Sequence, residues 1–161
     1  MAERNVHMDD LIPLISESLA AGRSIRFSPK GISMLPMLLQ GRDTVTLSAA
    51  EGTLQKYDIP LYRRDNGAYV LHRVVAVGET YTCIGDNQFA LETGIRPDQI
   101  IGVVTAFSRK GKDYTVKDRR YRLYCVLWHW SRKPRLFYIR VRRKLGRIRR
   151  SLFPRKESDR S

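Results

Sequence analysis

From Ser24 to Val116 the apolar residues come in brief runs rich in Val, Ile, Tyr and Thr, broken repeatedly by Gly, Asp and Asn. This punctuation restricts the region to short strands joined by tight turns. The candidate strands are Ile25–Phe27, Thr44–Leu47, Ile59–Tyr62, Tyr69–Val77, Tyr81–Ile84, Ile100–Phe107 and Tyr114–Val116. Asp65-Asn66-Gly67 and Lys110-Gly111-Lys112 read as hairpin turns, so neighbouring runs pair antiparallel. Ahead of this region Leu11, Ile12, Leu14, Ile15 and Leu19 recur at helical spacing after the capping residues Asp9 and Asp10, and Gly22 ends the pattern. Pro13 falls in the first turns of that helix. The sequence therefore predicts a mainly β protein: a coiled antiparallel β domain over 24–118, a short amphipathic helix within 1–23, and a basic helical tail over 119–161.

The tail is set apart by charge. The chain has 161 residues and carries 30 Lys+Arg against 16 Asp+Glu; 14 of each lie in residues 1–118, which leaves 16 basic and 2 acidic side chains, and the whole net charge of +14, in residues 119–161. Arg119 to Trp130 is aromatic and basic, Pro134 breaks the pattern, and Val141, Leu145, Ile148 and Leu152 then recur at spacings of four, three and four among Arg and Lys. Such a helix either packs its apolar stripe on the β domain or lies on an anionic membrane surface. Nucleic acid is the less favoured polyanion. With 42% hydrophobic residues the chain has enough apolar side chains for a core, which excludes wholesale disorder.

Cys83 and Cys125 lie in unlike surroundings and read as reduced core thiols. His7, His72 and His129 are scattered, and no Cys or His pair has metal-ligand spacing, so no metal is expected. The N-terminal stretch lacks the basic-then-apolar order of an export signal, and nowhere do about 18 consecutive apolar residues occur. A cytoplasmic location is the expectation, with the tail available for peripheral attachment to a membrane.

The residues able to carry chemistry begin with Lys30-Gly31-Ile32-Ser33-Met34-Leu35-Pro36, a serine in a loop bounded by Gly and Pro directly after a candidate strand. A serine hydroxyl is a weak nucleophile near neutral pH and needs a base within hydrogen-bond reach. His72, within Tyr69-Val70-Leu71-His72-Arg73-Val74-Val75, is the histidine of the β region, and Gly85-Asp86-Asn87 supplies an acid straight after a strand. Taken singly, each has an ordinary structural explanation: a loop serine, a strand histidine with a satisfied hydrogen bond, a turn.

In combination the order Gly31-x-Ser33-Met34-x-Pro36, then His72-Arg73-Val74-Val75, then Gly85-Asp86-Asn87, then Ile100-Ile101-Gly102-Val103-Val104 resembles the signal-peptidase and SOS-repressor superfamily of serine peptidases, over roughly residues 24–110. The resemblance implies an antiparallel β fold, peptide-bond cleavage through a serine acyl-enzyme, and no metal or organic cofactor. Carried onto this chain, it makes Ser33 the nucleophile, His72 the general base and Asp86 the acid that orients it. Histidine ahead of Arg-Val is similar to the endoplasmic-reticulum and archaeal branch, whereas bacterial signal peptidases and SOS repressors place lysine as the base. In the histidine branch a second acid often follows Gly-Asp-Asn by six positions. Glu92 stands there and is the alternative orienting acid.

The chain departs from the family pattern at Gly31, where many signal peptidases have a serine that helps to hold the oxyanion, which leaves backbone N–H groups for that task, the Ser33 amide first. Tyr57-Asp58-Ile59 replaces the usual Gly-Asp-Ile/Val. About thirty N-terminal residues with one helix are too few for the helix-turn-helix of the repressors. Ala21-Gly22 matches the type of bond at which those relatives cut themselves, but Ser33 stands only eleven positions after Gly22. The expected function is a serine endopeptidase of signal-peptidase type that removes a leader or signal-like segment from a peptide or small protein. The competing expectation is a catalytically silent peptidase fold whose basic tail binds anionic membrane or nucleic acid.

Overall fold

The computed structural model describes residues 8–132, 134 and 135. The chain divides into two compact units, Met1–Cys125 and Val126–Ser161. The helix expected over Val141, Leu145, Ile148 and Leu152 falls outside the described residues.

Within the first unit the helix α1 (Met8–Ala20) leads into nine strands: β1 (Ile25–Phe27), β2 (Thr44–Ser48), β3 (Pro60–Arg63), β4 (Tyr69–Leu71), β5 (Arg73–Val77), β6 (Tyr81–Ile84), β7 (Glu92–Ile95), β8 (Ile100–Arg109) and β9 (Lys112–Thr115). A single 3₁₀ turn, Pro97–Gln99, precedes β8, and helix α2 (Arg119–Trp130) follows β9. The fold is mainly β, with one helix before and one after antiparallel sheets, as the sequence predicts.

Six strands form one sheet in the order β1-β2-β8-β3-β4, with β9 added to β8; β5-β6-β7 form a second sheet, and all pairings are antiparallel. The ten residues of β8 make it the spine: β2 runs along one edge, and β3 and then β9 share the other. Register shifts between Thr46 and Leu47 and between Leu61 and Tyr62 add local twist, which is how a sheet coils. The end strands β1 and β4 consequently both contribute to one cavity, through Phe27 on one side and Tyr69, Val70 and Leu71 on the other.

Two apolar clusters hold this unit together. The larger joins Ile15 and Leu19 of α1, Met34, Met37 and Leu38 of the serine loop, Val45, Leu47, Leu61, Val104 and Phe107 of the sheet, and Tyr121 and Cys125 of α2. The smaller gathers Leu54, Tyr62, Val74, Tyr81, Cys83 and Ile95. Each fully buried Leu or Ile stabilises by about 1.5–3 kcal/mol, so the loop that carries Ser33 is anchored by three core side chains. Both cysteines are buried free thiols.

The structure departs from the sequence reading in the run around His72 and at β7. The run Tyr69–Val77 is two strands in two different sheets, divided at His72. Leu71, His72, Arg73 and Val74, which span the division, are all buried. The strand β7 lacks the Val- and Ile-rich composition of its neighbours and carries Gly94 at φ +75°, so its sequence gives no strand signal. Helix α1 ends at Gly22, as the sequence predicts: Gly22 at φ +71° donates its N–H to Leu19 O, and Arg23 donates its N–H to Ser18 O. This pair of hydrogen bonds to the last turn is a Schellman cap, and it folds the Ala21-Gly22 segment back on its own helix rather than extending it.

Candidate active site

His72 occupies the single residue between β4 and β5, where the chain leaves one sheet for the other, and its backbone N–H donates to Pro60 O (3.4 Å). The imidazole is 1% exposed. Its Nδ1 lies 3.1 Å from Glu92 Oε1 and 3.3 Å from the Tyr62 hydroxyl. The Tyr62 hydroxyl donates to Glu92 Oε2 (2.8 Å), and Arg64 spans both carboxylate oxygens, with Nε on Oε2 (2.9 Å) and Nη2 on Oε1. Glu92 reaches this position because β7 pairs with β6, Glu92 opposite Cys83.

The electrostatics follow from these contacts. Burial pushes the Glu92 carboxyl up, but hydrogen bonds from Arg64 and Tyr62 outweigh it and hold the group below its ordinary value, hence ionised. For His72 burial is the dominant influence and lowers its pKa below 6.5, against the opposing pull of Glu92. The imidazole is therefore neutral near pH 7. Since an ionised carboxylate only accepts, the favoured tautomer carries its proton on Nδ1 and leaves a lone pair on Nε2.

The backbone of the Ser33 loop is pinned near that ring. Gly31 N–H donates to Gln40 Oε1 (2.7 Å), Ile32 is exposed, Ser33 is half-buried, and Met34 enters the core. Asn87 fastens the loop from the other side, its N–H donating to Ser33 O (2.8 Å) and its Nδ2 to Ile32 O (3.2 Å). A methyl group placed on Gly85 would stand 2.7 Å from Ser33 O and 3.1 Å from His72 Nε2. Only glycine fits there, and its bareness lets the serine loop and the imidazole converge on one point. Among the described residues the Ser33 hydroxyl and amide make no hydrogen bond, so both are available to a ligand.

Asp86 lies in the same loop but its carboxylate is turned elsewhere. Arg73 grips it with two parallel bonds, Nε to Oδ1 and Nη2 to Oδ2, each 2.8 Å, and the two side chains are 2% and 1% exposed. The Tyr124 hydroxyl also reaches Oδ2 (3.4 Å). The carboxylate at His72 Nδ1 is thus that of Glu92, the alternative acid, while Asp86, expected at the imidazole, serves the buried guanidinium. The reason is charge neutralisation: an arginine at the start of β5, opposite Ile84 in the pairing, needs a counter-ion inside the core, and the loop just after β6 supplies it. The remaining donors of Arg73 reach the Tyr121 hydroxyl (2.8 Å), Cys125 Sγ (3.0 Å) and Met37 Sδ (3.0 Å). One cation thereby ties together the Asn87 loop, the serine loop and the first turns of α2.

Sequence reasoning brought Ser33, His72 and Asp86 to one region but missed Tyr62, Arg64 and the part played by Arg73. The sequence signal for Arg73 is a charged residue inside the apolar run Tyr69–Val77, where a polar side chain requires a partner if it is buried. A cavity of about 180 Å³ opens beside the serine, lined by Phe27, Ser33, Met34, Leu38, Tyr69 and Leu71. A larger hollow of about 490 Å³ between the end of α1 and Tyr81 and Pro97 contains none of these site residues. Among the described residues no group of His, Cys, Asp or Glu is assembled that could hold a metal ion. Comparison with protein-family models, with curated proteins and with solved structures finds no match to the chain.

Proposed function

We propose that the protein is a serine endopeptidase in which Ser33 is the nucleophile, His72 the general base and Glu92 the acid that orients it. The observation that carries this reading is that the Ser33 carbonyl and His72 Nε2 both close on Gly85, with Nδ1 of the same ring facing an ionised carboxylate. Nε2 takes the Ser33 proton as Oγ attacks the scissile carbonyl, then delivers it to the leaving amine; water, activated by the same nitrogen, releases the acyl group. Glu92 stabilises the imidazolium that forms in each step, and the free Ser33 amide is the first donor to the oxyanion. The substrate is an extended segment on the outer edge of β4, which pairs on its inner side with β3 and leads directly into His72. Resemblance to signal peptidases makes that segment a leader or signal-like sequence of a peptide or small protein.

Digestion of a set of extended peptides, read by mass spectrometry, tests this function: wild-type protein cleaves, and Ser33→Ala does not while unfolding at the same temperature. Cleavage retained in Ser33→Ala contradicts it, and a wild type that cuts nothing yet binds anionic vesicles or DNA favours the silent binding module. The pH dependence is a further prediction. Because burial depresses the His72 pKa, the cleavage rate rises as pH increases through the acidic range, with a midpoint below 6.5, and is level by pH 7. A midpoint above 6.5 contradicts that environment. Stability runs in the same direction: the unfolded chain takes up the proton first, so the contribution of the neutral ring is complete above about 6.5 and is lost as pH falls through the lower folded value.

A further inference from the structure

Helix α2 is apolar on two opposite faces. One side buries Tyr121 and Cys125. On the other, Leu123, Val126, Leu127 and Trp130 stand at i, i+3, i+4 and i+7 and are 58%, 40%, 59% and 81% exposed. Arg119, Arg120 and Arg122, all exposed, flank this second stripe. An outward row of three aliphatic side chains ending in a nearly bare tryptophan is costly in water and needs a cover.

We propose that this outer face of α2 seats on an anionic lipid surface. Charge complementarity selects the occupant. Residues 119–161 carry 16 basic and 2 acidic side chains, which attract acidic headgroups and repel a second copy of the same segment. Duplex nucleic acid would satisfy the arginines but offers no apolar counterpart to Leu123, Val126 and Leu127. A bilayer interface supplies both: acyl chains for the aliphatic stripe, phosphate for the arginines, and the headgroup boundary where tryptophan prefers to lie. The inference is independent of whether Ser33 is catalytic.

Co-sedimentation of the full chain with vesicles of phosphatidylcholine alone, or of phosphatidylcholine with phosphatidylglycerol, tests it. Wild-type protein is expected in the pellet with the anionic vesicles. Leu123→Ser, Leu127→Ser and Trp130→Ser combined keep the net charge and are expected to lower partitioning at least about tenfold, with thermal unfolding and peptide cleavage in vesicle-free buffer unchanged. A triple variant that partitions like wild type, or wild-type protein that stays in the supernatant, overturns the proposal. So does a wild-type dimer without vesicles that the triple variant abolishes, or duplex DNA binding that it abolishes, since each transfers the face to another occupant. A second readout does not depend on the triple variant folding: Trp128→Phe leaves Trp130 as the sole tryptophan, and its fluorescence is expected to be quenched by brominated lipid in anionic vesicles. Absence of quenching contradicts interfacial seating.

Discussion

Replacing Asp86 with asparagine should destabilise the fold by about 3–5 kcal/mol, because it leaves the Arg73 cation buried without a counter-charge. Arg73 is 2% exposed and cannot swing to water, and its other acceptors are a backbone carbonyl, a hydroxyl and two sulfurs, none of them charged. Urea or thermal unfolding of Asp86→Asn against wild type measures the effect. A companion double variant, Arg73→Met with Asp86→Leu, removes both charges and should recover much of the loss, since a buried ion pair is often matched by apolar packing of similar size. Asp86→Asn unfolding within about 1 kcal/mol of wild type would show that the pair does not hold this part of the core. The same variant should also lose activity. Arg73 contacts Met37 in the serine loop, and Asn87, next to Asp86, fixes Ser33 O, so slackening the pair loosens the proposed nucleophile.

Glu92→Gln should do the opposite: preserve the fold and cripple turnover. Its ion-pair partner Arg64 is 33% exposed, so the orphaned guanidinium can turn to water at modest cost. At the imidazole, however, an amide can donate to Nδ1, which drives the proton to Nε2 and removes the lone pair that accepts the Ser33 proton. Loss of the correct tautomer in this kind of triad costs roughly 10⁴-fold in kcat, with KM little changed. Peptide-cleavage kinetics of Glu92→Gln, alongside an unfolding curve close to wild type, check the prediction. A silent Glu92→Gln beside a well-folded but inactive Asp86→Asn would return the orienting role to Asp86.

The two carboxylates show where the sequence was readable. Strands with strong β-branched and aromatic runs, such as Ile25–Phe27 and Tyr81–Ile84, coincide with β1 and β6 residue for residue. Their signal is local, so no knowledge of the partner is needed. Glu92-Thr93-Gly94-Ile95 becomes β7 only because β6 offers an edge to pair with, and its own composition does not announce a strand. In the sequence Glu92 is therefore only a position counted from the Gly-Asp-Asn motif, and Asp86, next to a strand end, is the nearer acid. The break at His72 has a related cause: the run Tyr69–Val77 is uniformly β-forming, and the change of sheet is a tertiary event set by the pairing of β4 with β3 and of β5 with β6, which propensity does not encode. Tyr62 and Arg64 met the same limit, since they join the site through the pairing of β3 with β8 and β4 rather than through any spacing to His72.

Helix α2 illustrates a different limit. A helix with apolar residues on both sides has a weak periodicity, so the stretch Arg119 to Trp130 reads as merely aromatic and basic. Burial of Tyr121 and Cys125 separates its two faces and frees the second for argument.

Intact-mass analysis after reaction with a fluorophosphonate probe tests the proposal that His72 activates Ser33 as a nucleophile. Wild-type protein should gain one phosphonyl group, mapped by peptide sequencing to Ser33, faster at pH 7 than at acidic pH; Ser33→Ala should gain none, and His72→Ala should react far more slowly. A wild type that remains unlabelled, or equal labelling of wild type and Ser33→Ala, would contradict the assignment.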